Sequence, residues 1–244
     1  MGSIRITDEG SVHPSRSLRV EGFTVLRELT LCAFSFDDTI AWPELPQLIK
    51  LRLEHCIFSH GSDDLSQILP RICPTLACLE LLKTHRAFRI EMGGSELPAF
   101  LSKSLQEFWI EKCWPFSFEA HLQSYNSLRI FHADRDLFVK AMPFLPQSIR
   151  SISIAVPIWV ASSAPDYKGL EECIRVASRK LPLLECVEVV GDSEYPLLRD
   201  VRGLEDSLEQ QGVSLVVKRI KRGRPILKSK SDDADIPVCL INCL

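Results

Sequence analysis

The chain has 244 residues, of which 45% are hydrophobic and 25% are charged, and its formal net charge is −3 at pH 7. This length is enough for a substantial core, and the small negative charge gives no overall attraction to nucleic acids or anionic membranes. No run of about eighteen apolar residues occurs, so we expect no transmembrane helix. The nine cysteines follow no framework of spacings, which favours reduced thiols in an intracellular protein.

A short leucine pattern recurs along the chain, and its clearest copy is Leu48, Leu51 and Leu53 followed by Cys56. The same phase fits other places, which in chain order are Met1/Ile4/Ile6, Leu26/Leu29/Leu31, Leu76/Leu79/Leu81, Leu105/Phe108/Ile110, Tyr125/Leu128/Ile130, Ile149/Ile152/Ile154, Leu184/Val187/Val189 and Gly212/Leu215/Val217. The copies start 20 to 35 residues apart, mostly at the lengths of leucine-rich repeats. Because alternate side chains of a strand point the same way, the second and third positions should share one interior.

The segments between some copies carry a helical period instead. Apolar residues recur at helical spacing in residues 170–181, before Pro182, and this spacing predicts a helix. Residues 201–208 predict another helix, which Gly212 is well placed to end. A shorter helix is expected over residues 62–69. The remaining connections are shorter and predict turns or extended backbone.

These elements predict an α/β fold: a leucine-rich repeat solenoid over residues 1–220, with a curved parallel sheet on the concave face and helices or turns on the convex face. An ordinary α/β domain is the alternative, but its βαβ units need about thirty or more residues, longer than several spacings here. Residues 221–244 leave the pattern and should form a flexible tail, first basic and then acidic. Because a solenoid normally needs a terminal cap, either residues 9–23 fold back or, as we expect, the chain is a fragment.

The residues between the inward leucines should point onto the concave face and form a binding surface for a protein partner. This predicted surface comprises Arg52, Glu54, Glu80, Trp109, Glu111, Arg129 and Phe131. Trp109, Arg129 and Phe131 come from neighbouring copies and should cluster, and such side chains dominate the binding energy of interfaces. The alternative is structural, with Trp109 and Phe131 covering each other or packing under a loop.

No constellation of residues indicates catalysis or a cofactor. The six histidines have no metal-ligand spacing with another His or Cys, and Cys73 and Cys78 are too far apart for a Cys-x-x-Cys zinc motif. The chain lacks a Gly-x-Ser-x-Gly elbow, and Gly93-Gly94 lacks the Lys of a phosphate-binding loop. We therefore expect no enzyme, no metal site and no cofactor.

A basic segment, residues 218–230, follows the last copy and holds seven basic residues and no acidic one. Within it Arg222, Gly223, Arg224 and Pro225 resemble the core of an AT-hook, whose arginines lie in the narrow minor groove of A·T-rich DNA. A nuclear import signal or a solvated basic tail would explain the same residues. A nuclear DNA-associated protein is therefore the alternative function.

The residues that flank two copies carry a closer resemblance. Pro46 and Pro74 precede the strands of these copies, and Cys56 follows one of them. This arrangement and the irregular repeat lengths, over roughly residues 1–220, resemble the repeats of fungal F-box proteins. The resemblance implies a protein-recognition module of the cytoplasm or nucleus, the substrate-binding part of a ubiquitin-ligase receptor. Contact with the ligase scaffold is implied only if an F-box precedes these residues.

Overall fold

The computed structural model of the protein describes residues 2–7, 25–32, 35–36, 44–58, 73–82, 99–111, 122–156, 167–192 and 197–220. The strands in these ranges are β1 (Gly2–Thr7), β2 (Leu26–Cys32), β3 (Ser35–Phe36), β4 (Lys50–Glu54), β5 (Ile57–Phe58), β6 (Cys78–Leu82), β7 (Glu107–Glu111), β8 (Ile130–Asp134), β9 (Ser151–Ala155), β10 (Cys186–Asp192) and β11 (Ser214–Ile220). The α-helices are α1 (Arg135–Ala141), α2 (Tyr167–Lys180) and α3 (Val201–Glu209). Single 3-10 turns occupy Ala99–Lys103, Leu122–Ser124 and Met142–Phe144.

The longer strands form one nine-stranded sheet, and their order in the sheet follows the chain: β1-β2-β4-β6-β7-β8-β9-β10-β11. Every neighbouring pair in this sheet is parallel. The two-residue strands β3 and β5 form a separate parallel pair. Each unit therefore adds one strand beside the previous one, and the predicted α/β class with a parallel sheet is confirmed.

The register of the sheet places the repeated apolar residues in rows on one face. Leu51 lies opposite Leu29 on one side and Leu79 on the other, and all three are at most 5% exposed. Similar rows continue to β10, where Val187 and Val189 are fully buried. This register confirms the predicted phase of every copy except one.

The predicted phase of the copy at Tyr125/Leu128/Ile130 is wrong by three residues. Phe131 lies opposite Phe108, and Ala133 opposite Ile110, so these residues occupy the core positions. Tyr125 instead belongs to the turn before the strand, where its carbonyl accepts a hydrogen bond from Leu128 N–H at 3.0 Å. The phase was misread because apolar residues recur every three positions from 125 to 131, and Ala133 is too small to mark the core.

Side chains in the turns before the strands bond to the preceding unit. Pro46 and Pro74 lie in two of these turns, and Thr75 Oγ1 donates to the Pro46 carbonyl at 3.0 Å. The fully buried Cys56 thiol donates to the Leu31 carbonyl of the previous unit at 3.3 Å. These side-chain bonds link each unit to the one before it.

Both predicted helices in the C-terminal half are confirmed as α2 and α3, whereas the helix over residues 62–69 lies outside the described residues. The turn after α3 contains Gly212, whose φ of 74° is the left-handed conformation that glycine adopts readily. Helix α1 was not predicted, although Asp134 caps it by accepting a hydrogen bond from Leu137 N–H at 3.0 Å.

Candidate functional site: the outer face of the sheet

Side chains that alternate with the core positions point to the opposite side of the sheet, which we call the outer face. It carries three rows of residues, related by the strand register. From β2 to β11, the first row is Glu28, Lys50, Cys78, Glu107, Ile130, Ser151, Cys186 and Ser214. The second row is Thr30, Arg52, Glu80, Trp109, His132, Ser153, Glu188 and Val216. The third row is Cys32, Glu54, Leu82, Glu111, Asp134, Ala155, Val190 and Lys218.

The structure places most of the predicted surface on this face, but two of its residues lie elsewhere. The residues on the outer face are Arg52, Glu54, Glu80, Trp109 and Glu111. The predicted exposure of Phe131 is wrong, because this side chain is 0% exposed and packs against Phe108 with ring centroids 6.1 Å apart. Arg129 is exposed but precedes β8, so it lies outside the three rows. Both errors follow from the three-residue shift described above.

The predicted residues of β4 and β6 bond to one another. Glu80 contacts Lys50 Nζ at 2.7 Å and Arg52 Nη1 at 3.5 Å, and Arg52 Nη2 contacts Glu54 at 3.1 Å. The side chain of Glu80 is only 7% exposed, and its two cationic neighbours compensate the cost of burying the carboxylate. Burial lowers the pKa of Lys50, but the hydrogen bond and charge of Glu80, together with Cys78 and Glu28, raise it by more, so that pKa lies above its usual value. These charges form a network between β4 and β6, in which only the Arg52 Nε atom is buried without a hydrogen-bond partner.

A second cluster lies on β7 and β8 and is centred on Trp109. The Trp109 indole stacks on the His132 imidazole, with ring centroids 4.4 Å apart and planes inclined by 21°. His132 Nε2 lies 2.7 Å from Glu111 Oε1, and the side chains of His132 and Glu111 are 3% and 7% exposed. Trp109 itself is half-buried. The structural alternative in which Trp109 and Phe131 cover each other is wrong, because Trp109 stacks on His132 and Phe131 packs against Phe108.

Two nitrogen atoms of this cluster are buried without a hydrogen-bond partner, namely Trp109 Nε1 and His132 Nδ1. Leaving such a group unpaired costs about 1–3 kcal/mol, so native proteins rarely do it without a reason. The neighbouring Glu107 is half-buried and lies two residues before Trp109 on the same face. The cluster therefore combines two stacked aromatic rings with two ring nitrogens that could still form hydrogen bonds.

Sequence reasoning missed His132, which occupies the second-row position that was assigned to Arg129. One signal could have identified it: starting this copy at Leu128 gives unit spacings of 23 and 21 residues, more even than 20 and 24. The even spacing would have placed His132 beside Trp109.

Other chemistry finds little support in the described ranges. They contain no group of three or more His, Cys, Asp or Glu residues that could hold a metal ion. Burial, and next the nearby Glu80 and Glu107 carboxylates, raise the pKa of the Cys78 thiol, which makes it a poor nucleophile. The AT-hook-like residues Arg222–Pro225 lie outside the described residues.

None of the helices described for this chain is long and apolar enough to cross a membrane. Comparisons with protein-family models and with curated proteins found no match to the chain.

Proposed function

We propose that this protein is a protein-recognition module, built as a leucine-rich repeat solenoid, which binds a partner on its outer face. The stacked Trp109–His132 pair is the observation that carries the proposal. Trp109 is half-buried, and each ring has one buried nitrogen without a hydrogen-bond partner. Trp side chains at the centre of an interface commonly supply much of the binding energy. A purely structural pair would be expected to satisfy its own hydrogen bonds.

The order of the sheet supports the repeat part of the proposal. Each strand lies beside the strand of the next unit, and each unit covers the apolar row of its neighbour. Such stacking is the physical basis of solenoids, and their extended sheets present many side chains to a large partner. Under this proposal the outer face is the concave face of the solenoid.

The resemblance to F-box proteins makes a ubiquitin-ligase substrate the proposed partner. This assignment can be tested with the product of the natural full-length transcript. We expect this product to bind the adaptor subunit that F-box proteins contact, and a full-length product that fails to bind it would contradict the ligase role. Generic protein recognition would survive that result.

Affinity capture with three forms of the immobilised chain tests recognition through the outer face. The forms are the wild type, Trp109→Ala and the control Val139→Ala, which removes a side chain 40% exposed on α1. We expect a specific protein, identified by mass spectrometry, to bind the wild type and the control but not Trp109→Ala. Equal capture by all three forms would contradict the proposal.

A further inference from the structure

The outer face of the neighbouring strands β7, β8 and β9 is acidic. Its nine residues on β7, β8 and β9 include the carboxylates Glu107, Glu111 and Asp134 but neither Lys nor Arg. Glu111 is engaged with His132, and Asp134 caps α1. Glu107 is different, because its carboxylate bonds to the neutral thiol of Cys78 and forms no ion pair with any of the described residues. The local charge favours a cationic group.

The hydrogen-bonding state of His132 points to the same kind of group. We assign His132 the neutral tautomer that donates from Nε2–H to the Glu111 carboxylate, which leaves a lone pair on Nδ1. That nitrogen is buried and has no partner, so it can accept a hydrogen bond from a donor. The N–H groups of a Lys or Arg side chain are donors and carry the charge that Glu107 lacks.

Trp109 supplies the third part of the site. Its indole stacks on His132 with one face, and a cation placed over the other face would gain an additional electrostatic attraction. The indole Nε1–H is a buried donor without a partner, and a main-chain carbonyl is the common acceptor for it. A peptide supplies both groups, the cationic side chain and the carbonyl.

We infer that Glu107, Trp109 and His132 form a site for a Lys or Arg side chain presented by an extended segment of the partner protein. This inference rests on the proposed function and specifies the chemistry of its partner. The side chain donates to the Glu107 carboxylate and to His132 Nδ1, and the adjacent carbonyl accepts from Trp109 Nε1. Because both nitrogens are covered in the free protein, binding includes a small rotation of side chains, as is common at interfaces.

Nuclear magnetic resonance with short peptide probes tests this site. The probe is Ac-Gly-Ser-Arg-Ser-Gly-amide, added to the 15N-labelled full chain, and the signal is the indole Nε1–H of Trp109, assigned with Trp109→Phe. The matched probes carry Lys, citrulline or Glu in the central position. We expect saturable shifts with Arg and Lys, binding about tenfold weaker with citrulline, which keeps the shape but not the charge, and no binding with Glu.

A variant of the acidic group completes the test. We expect Glu107→Gln to weaken binding of the Arg probe about fivefold, with an unchanged melting temperature, whereas Val139→Ala leaves the affinity unaltered. Equal binding of the Arg and citrulline probes, or no effect of Glu107→Gln, would overturn the inference. The Arg probe could also bind only to a variant in which the cations of residues 221–230 are changed to Gln. This result would identify the chain's own basic segment as the occupant and would also overturn the assignment to a partner.

The two proposals fail in different ways. If capture depends on Trp109 but the Arg and citrulline probes bind equally, recognition through the outer face stands and the cationic site is wrong. If the Arg probe binds as expected but Trp109→Ala captures the partner as well as the wild type does, the cationic site stands and the proposed function is wrong.

Discussion

Replacing Phe131 by Ala should destabilise the protein far more than replacing its neighbour Ile130. Phe131 is 0% exposed and lies in register between Phe108 and Ile152, both fully buried. Its truncation removes the transfer free energy of the ring and leaves a cavity, at a cost of about 3–5 kcal/mol. Ile130 lies half-buried on the outer face, so Ile130→Ala should cost about 1 kcal/mol.

Urea unfolding, followed by far-UV circular dichroism, measures both losses of stability. Each variant should keep the wild-type slope of unfolding free energy against urea concentration, which shows that the same surface is exposed on unfolding. A total stability of about 5–15 kcal/mol makes the difference between the two variants easy to resolve. A larger loss for Ile130→Ala than for Phe131→Ala would refute the register of β8. The second-row position of His132 would then be wrong as well.

Other predictions follow from the helices, the thiols and the basic segment. Glu171→Ala should lower the free energy of unfolding by about 2 kcal/mol. The reason is that this buried carboxylate accepts hydrogen bonds from Arg199 N–H and Asp200 N–H at 2.6 and 2.9 Å. The control is the exposed neighbour Glu172, whose replacement by Ala should change the free energy of unfolding by less than about 0.5 kcal/mol. Burial raises the pKa of the Cys73 thiol from 9.0 to about 12, so the folded protein keeps a proton that the unfolded chain loses above pH 9. Denaturation at each pH measures the difference in unfolding free energy between the wild type and Cys73→Ala. This difference should be constant below pH 9 and should fall between pH 9 and pH 12, by at most about 1.4 kcal/mol per pH unit. A difference that stays constant over the whole range would contradict the prediction. Fluorescence anisotropy should show tighter binding to A·T-rich than to G·C-rich duplexes if the AT-hook resemblance is functional, and equal binding at moderate salt removes that alternative.

The sheet could be predicted from the sequence because its information is local and repeated. Each leucine triplet indicates which side chains face the core. Parallel strands then align their core residues if successive units keep the same phase. Leu51 and Leu79 were placed correctly by this reasoning, and so were the residues around them. The pattern became ambiguous where Tyr125, Leu128 and Phe131 recur at spacings of three and the core residue is the small Ala133.

The candidate site could be predicted only in part, because its chemistry arises between strands. Trp109 was placed correctly, since its own copy fixes its face. Its stacking on His132 depends on the phase of the next copy, and the bond from His132 to Glu111 depends on both. The closure of Arg52, Glu54 and Glu80 into an ion network likewise requires the register between β4 and β6. No single strand contains that information.

The affinity of the captured partner for the outer face tests the central claim most directly. Isothermal titration calorimetry would compare the purified partner binding to the wild type, to Trp109→Ala and to Val139→Ala. We predict that Trp109→Ala weakens binding by about 2 kcal/mol or more, roughly 30-fold in Kd, while Val139→Ala binds like the wild type. An unchanged Kd for a correctly folded Trp109→Ala would contradict recognition through this face.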